Sequence, residues 1–270
     1  MQKTLPSSGL GLTVENLQLA WQDRVVLDGL SFTLPAGGSL AIIGESGCGK
    51  TTLLTTLAGF HPVASGQIKW FDDFGPVLLE EHRSSFVWQQ LGLFPWKRVK
   101  DNLTLPLKLH PEICPAQEVE RRVNTLIEQL GLQGLERRFP DELSGGQRQR
   151  LALGRSMISR PEVLFMDEPF SALDALLRER LQDRLGQLRQ MHPCTVLLVT
   201  HDIREAVFLG SHILLLYPRS RGLAPRFMPN PAFTPGALFA NREDPVFDET
   251  VRCVHKALMQ DSPEHQGERL

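Results

Sequence analysis

An α/β fold with a largely parallel sheet is the class this sequence predicts, and three observations carry it. Residues 39–44 (SLAIIG), 163–167 (VLFMD) and 195–200 (TVLLVT) are nearly continuous apolar runs. Strands buried on both faces of a parallel sheet read this way. Between the runs, apolar residues recur at helical spacing, and strand–helix alternation is the mark of α/β proteins. Residues 13–21 and 30–34 instead show partial period-2 alternation, as a half-buried antiparallel pair does.

In chain order, the antiparallel pair leads into the strand at 39–44, a Gly-rich loop and a helix. Residues 90–160 then interrupt the alternation with mostly helical text, which predicts a helical insertion. Within it Val119, Val123, Leu126, Ile127 and Leu130 share a face, and Gly131 is placed as a C-cap. A helix is expected over 148–158, ahead of the strand at 163–167. Leu173, Leu177, Leu181, Leu185 and Leu188 form the next stripe, before the strand at 195–200 and an apolar run at 213–217. After Pro218 the text becomes rich in Pro, Gly and Arg without clear periodicity. One late helix is expected, where Phe247, Val251, Val254 and Leu258 share a face.

Composition narrows the function. Lys plus Arg number 29 and Asp plus Glu 31, a net charge of −2, so no global basic field exists to hold nucleic acid. No apolar run approaches the roughly 20 residues of a membrane span. The opening MQKTLPSSGLGL lacks the apolar core of a signal peptide. Cys48, Cys114, Cys194 and Cys253 are far apart, with no metal-binding spacing. A cytosolic chain with free thiols is the expectation.

The strongest chemical signal is Gly44-Glu45-Ser46-Gly47-Cys48-Gly49-Lys50-Thr51, which matches GxxxxGK[ST] between a strand and a helix. Its glycines let backbone N–H groups curl around phosphates at a helix N-terminus, where the dipole favours anions. Lys50 would reach the β- and γ-phosphates and Thr51 would ligate Mg²⁺, with Thr52 beside it. Cys48, at the helix start, is expected to have a lowered pKa. The strand at 163–167 ends in Asp167, placed for the Mg²⁺ shell. Glu168 stands where it can polarise an attacking water. Ser144 and Gln147 form an S-x-x-Q capping box.

With the other motifs, Leu143-Ser144-Gly145-Gly146-Gln147 resembles the signature sequence of ATP-binding-cassette (ABC) proteins. The remaining elements match in order. Gln89 resembles the Q-loop glutamine that senses Mg²⁺ and the γ-phosphate. Asp174, in Ser171-Ala172-Leu173-Asp174, resembles the D-loop residue, although it can equally be a helix N-cap. His201 resembles the switch histidine, although Asp202 and Glu205 can form a capping box with His201 a bystander. Trp21 stands where the family usually has a Tyr stacked on adenine; a plain core role is the alternative.

The resemblance covers residues ~14–217. It implies a P-loop NTPase (RecA-like) core, an antiparallel β subdomain and a helical subdomain at about 90–160. The cassette domain would span 12–235, leaving 236–270 as a tail with one helix. It also implies ATP and Mg²⁺ as cofactors and a head-to-tail homodimer with ATP at the interface. Lacking spans, the chain would energise separate integral-membrane permease subunits, and indirectly a substrate-binding protein, from the inner face of the cell membrane. LFPW (93–96) and THDIREA (200–206) look like cassettes of nitrate, sulfonate and taurine importers. An ATPase of lipid or lipoprotein export, or a soluble non-transport cassette, are the competing readings.

Overall fold

The computed structural model describes residues 9–21, 24–171, 173–234 and 236–260. The chain opens with β1 (Gly11–Trp21), β2 (Arg24–Leu34), β3 (Ser39–Gly44) and α1 (Lys50–Leu57). There follow β4 (Ser65–Asp72), β5 (Gly75–Val77) and β6 (Ser84–Val87). Three helices come next: α2 (Val99–Leu109), α3 (Ala116–Gln129) and α4 (Gly145–Met157). Alternation then resumes with β7 (Val163–Asp167), α5 (Ala175–Met191), β8 (Thr195–Thr200), α6 (Ile203–Leu209) and β9 (His212–Leu216). The described part closes with β10 (Arg226–Pro229) and α7 (Pro245–Gln260).

Two sheets result. β3, β8, β7, β6 and β9 are parallel, in a six-stranded order β10-β9-β3-β8-β7-β6. Every residue of β7 and β8 is buried, which is why both strands read as apolar runs. The second sheet is antiparallel, in the order β2-β1-β4-β5. The alternation at 13–21 and 30–34 therefore belongs to a four-stranded sheet rather than to a pair. Its apolar face, including Leu12, Leu17, Leu19 and Trp70, packs with α1 and with Phe165 of β7 in one core.

Several elements depart from the sequence expectations. α4 starts at Gly145 rather than at 148, because Ser144 accepts a hydrogen bond from the Gln147 amide (3.3 Å) while Gln147 Oε1 accepts one from the Ser144 amide (2.8 Å). A capping box so placed makes residue 145 the first helical position. In the stretch without periodicity, Arg226–Pro229 pairs antiparallel with β9 as an edge strand; four residues are too few to show a period. The last helix, α7, stands where the sequence expects one: Phe247 and Val254 are buried, and Val251 and Leu258 pack against the same core.

Candidate functional site

β3 ends at Gly44, β7 ends at Asp167 and α1 begins at Lys50, so two buried strand ends and one helix start converge. The loop between β3 and α1 turns through Gly47 and Gly49, at φ of 79° and 96°. A Cβ on Gly49 would stand 2.4 Å from Val26 Cγ1, so both its φ and its space demand glycine. No side chain caps α1, and its first turn carries no acid. Its first amides and the positive end of its dipole are thus left for an anion.

Lys50 is 8% exposed, and its Nζ donates to the carbonyls of Gly44 (2.9 Å) and Glu45 (2.8 Å). Thr51 Oγ1 donates to the Asp167 carboxylate, at 3.1 and 3.2 Å from its two oxygens. Burial raises the Asp167 pKa, and the adjacent Glu168 adds to the rise; the Thr51 hydroxyl and Lys50 oppose it. Glu168 itself takes a left-handed φ of 46°, a costly conformation for a non-glycine residue. The turn is held by the Glu168 amide donating to the Val199 carbonyl (3.0 Å) and by Ser171 Oγ donating to the Glu168 carbonyl (3.1 Å).

Around that carboxylate the remaining groups assemble. Gln89 Nε2 donates to Glu168 Oε2 at 3.4 Å, and His201 Nδ1 lies 3.5 Å from the same oxygen. Val26, Ser46, Gly47, Gly49, Lys50, Thr51, Thr52, Gln89, Glu168 and His201 line one open cleft of about 640 Å³. The structure therefore unites the phosphate-loop residues with Gln89, Glu168 and His201. It does not bring Ser144–Gln147 or Asp174 to that cleft. Asp174 caps α5, accepting from the Leu177 amide at 2.9 Å, and Ser144 and Gln147 cap α4. Glu45 is turned outward in an ion pair with Arg221. The Trp21 side chain, and with it the adenine stack, lies outside the described residues.

Cys48 corrects an expectation. Its side chain is buried and its pKa is raised, because desolvation outweighs Lys50 and the helix start. Two features escaped sequence reasoning. Val26, from β2, closes the cleft with no motif to mark it. Phe60, Phe86 and Trp88 form an aromatic ladder, with centroids 5.5 Å (Phe60–Trp88) and 3.9 Å (Phe86–Trp88) apart. Proximity of Phe86 and Trp88 to Gln89 in the chain was the available signal.

The donor set suits Mg²⁺. A hydroxyl and a carboxylate are hard oxygen ligands, and among the described residues no group of three or more His, Cys, Asp or Glu is arranged to hold a metal by itself. Two protein oxygens leave most of an octahedral shell to phosphate and water, the usual arrangement for this ion.

Four residues after His201, Glu205 is buried and its pKa is pushed up to about 7, chiefly by desolvation. Thr200 Oγ1 donates to its Oε2 at 2.7 Å, while Oε1 has no hydrogen-bond partner. A carboxyl whose folded pKa is raised stabilises the fold below the ordinary glutamate range and loses that contribution as pH rises through about 7. Glu205→Gln, neutral throughout, should therefore gain on the parent as pH rises. Thermal melting at about pH 5.5 and about pH 8.5 should show the Tm difference growing by roughly 2–4 °C, equivalent to about 1 kcal/mol. A difference that does not change with pH refutes the assignment.

Comparison with known proteins gives one answer. The ABC transporter family model matches residues 27–171. The aliphatic sulfonates import ATP-binding protein of Streptomyces avermitilis is 43% identical over 205 residues, 75% of either chain. The taurine import ATP-binding protein of Escherichia coli O157:H7 is 40% identical over 209 residues, 77% of this chain and 80% of that one. Among solved structures, a dimeric bacterial ABC transporter cassette superposes with a TM-score of 0.69 at 25% identity, covering 82% of this chain and all of the other.

Proposed function

The chain belongs to the ABC transporter family, and from that premise we propose that it is the ATP-hydrolysing subunit of an importer for small sulfonates or related oxyanions. The observation that carries the chemistry is the convergence of Gln89 and His201 on one oxygen of Glu168, beside Lys50 and Thr51. The cargo class rests on the relatives, whose names give sulfonate and taurine import.

The roles we assign rest on this geometry together with the family resemblance. Backbone amides from Gly47 to Thr52 and the Lys50 ammonium would bind the phosphates. Thr51 and Asp167 would hold Mg²⁺, with Gln89 at the edge of its shell. Bound there, Mg²⁺ supplies charge neutralisation on the phosphate oxygens. Glu168 would orient the attacking water and accept its proton. His201 would steady the γ-phosphate side of the cleft. Ser144–Gln147 would close over the ATP of a partner copy arranged head to tail, and Asp174 would lie along that interface. The described residues contain no helix long and apolar enough to cross a membrane, so attachment to the inner face of the membrane would come through permease subunits.

The loop after Gln89 offers the contact. Asn102, wholly buried, accepts from the Phe94 amide (3.0 Å) and donates to the Lys97 carbonyl (2.8 Å). That clamp leaves Trp96 71% exposed. Phe94 is instead half-buried beneath Arg155, whose guanidinium lies 5.1 Å from its ring centroid. Trp96→Ala should leave the Tm and basal ATPase of the isolated subunit unchanged while weakening permease assembly, since truncating an anchor of an interface costs ~2 kcal/mol or more. Phe94→Ala should lower the Tm itself. Normal assembly by the Trp96→Ala protein refutes the docking role. For the function as a whole, ATPase of the permease complex should rise when a sulfonate-loaded binding protein is added. An unresponsive complex overturns the import reading.

A further inference from the structure

Away from the cleft, α3 of the helical region leans on the α4–β7 connection and the end of α5 around a cavity of about 160 Å³. Two arginines and a histidine share its rim. Arg122 comes from α3, Arg160 from the connection, and His192 from the residue that ends α5. None of the ion pairs among the described residues involves any of the three. The buried Nη2 of Arg122 has no hydrogen-bond partner. Glu118, also at the rim, is engaged by Arg121 at 3.3 Å. Arg83 adds to the positive field, since its Nε donates to the Arg160 carbonyl at 3.1 Å. The floor is apolar, formed by Leu126, Met157 and Leu188.

A half-buried guanidinium with an unpartnered nitrogen, as at Arg122, is costly unless a counter-charge completes it. His192 registers the field directly: burial first, then Arg160 and Arg122, hold its pKa down to about 4. The cavity is well below the roughly 300 Å³ at which drug-sized ligands begin to fit, so the ligand must be small. Planar guanidinium groups select oxyanions, and the Leu and Met floor selects a short hydrocarbon.

We propose that this cavity binds a small organic anion, with an oxyanion head against Arg122 and Arg160 beside His192 and a short apolar tail over Leu126, Met157 and Leu188. Bound there, the anion bridges α3 of the helical region and α5 of the sheet core. The site is separate from the nucleotide cleft and does not depend on the transport reading.

The test uses the full chain, labelled at histidine with ¹⁵N and saturated with ADP and Mg²⁺ so that the nucleotide cleft does not compete. Titration with 1-butanesulfonate should shift the His192 ring signals saturably and raise its pKa by more than one unit, since a nearby anion favours the charged ring. Butyltrimethylammonium should do neither. Arg122→Gln with Arg160→Gln should abolish the shift, and Arg122→Lys should retain a weaker one. If the double variant does not fold, Arg160→Gln alone decides, because Arg160 is exposed: at least tenfold weaker binding supports the site. Unchanged binding in that variant, or no saturable shift at His192 in the parent, overturns it. Sulfate binding as tightly as butanesulfonate overturns the amphiphilic ligand class.

Discussion

Glu168→Gln should bind ATP with near-native affinity and hydrolyse it roughly 10²–10⁴-fold more slowly, the factor a positioned general base contributes. The substitution changes little else. Glutamine has the same shape, and the left-handed backbone at residue 168 is held by the Val199 carbonyl and the Ser171 hydroxyl rather than by the carboxylate. What it removes is the one negative oxygen on which Gln89 and His201 converge. Lys50→Ala should behave differently. Its ammonium bridges the carbonyls of Gly44 and Glu45, so its loss removes both the phosphate contact and a brace of the loop, and binding itself should fail. Turnover and nucleotide affinity measured side by side separate the two roles. Near-native turnover by the Glu168→Gln protein would sink the assignment.

A subunit carrying Ser144→Arg, mixed with one carrying Lys50→Ala, should regain hydrolysis that neither has alone. The reason is geometric. Ser144 opens α4, whereas Lys50, Glu168 and His201 share a cleft that no residue of 144–147 lines. If Ser144 acts on ATP, it must do so on a partner's cleft. In the mixed dimer one composite site has a native Lys50 facing a native Ser144, and the other site carries both lesions. Arginine at 144 also removes the cap that accepts from the Gln147 amide, at a cost of roughly 1 kcal/mol. Melting curves must therefore show that the variant is folded before mixing. Activity that stays at the level of the separate variants counts against the shared site.

What could be read from the sequence was set by how locally each feature is encoded. β3, β7 and β8 announced themselves because burial on both faces leaves no room for polar residues. Lys50, Thr51, Asp167 and Glu168 were legible because phosphate and metal chemistry ties residue type to a strand end or a helix start. β4 was not legible: only Trp70 among its eight residues is buried, so its pattern resembles that of a loop. β10 escaped because an edge strand needs pairing on one side only. Val26 escaped because its place in the cleft is a matter of tertiary contact with Gly49. Cys48 went the wrong way because position at a helix start is visible in the sequence while desolvation is not.

The last described helix has a practical consequence for anyone who handles this protein. α7 lies against α6, which starts two residues after His201, and Arg204 ties the two by pairing with Asp248 at 2.8 Å and covering the Phe247 ring at 5.1 Å. Trimming the gene ahead of Pro245 in pursuit of a minimal cassette would strip a wall from the helix behind the histidine and open to water the side of α6 on which α7 packs. The shortened product should be sticky and slack at that histidine, and an affinity tag replacing α7 would report on a damaged enzyme.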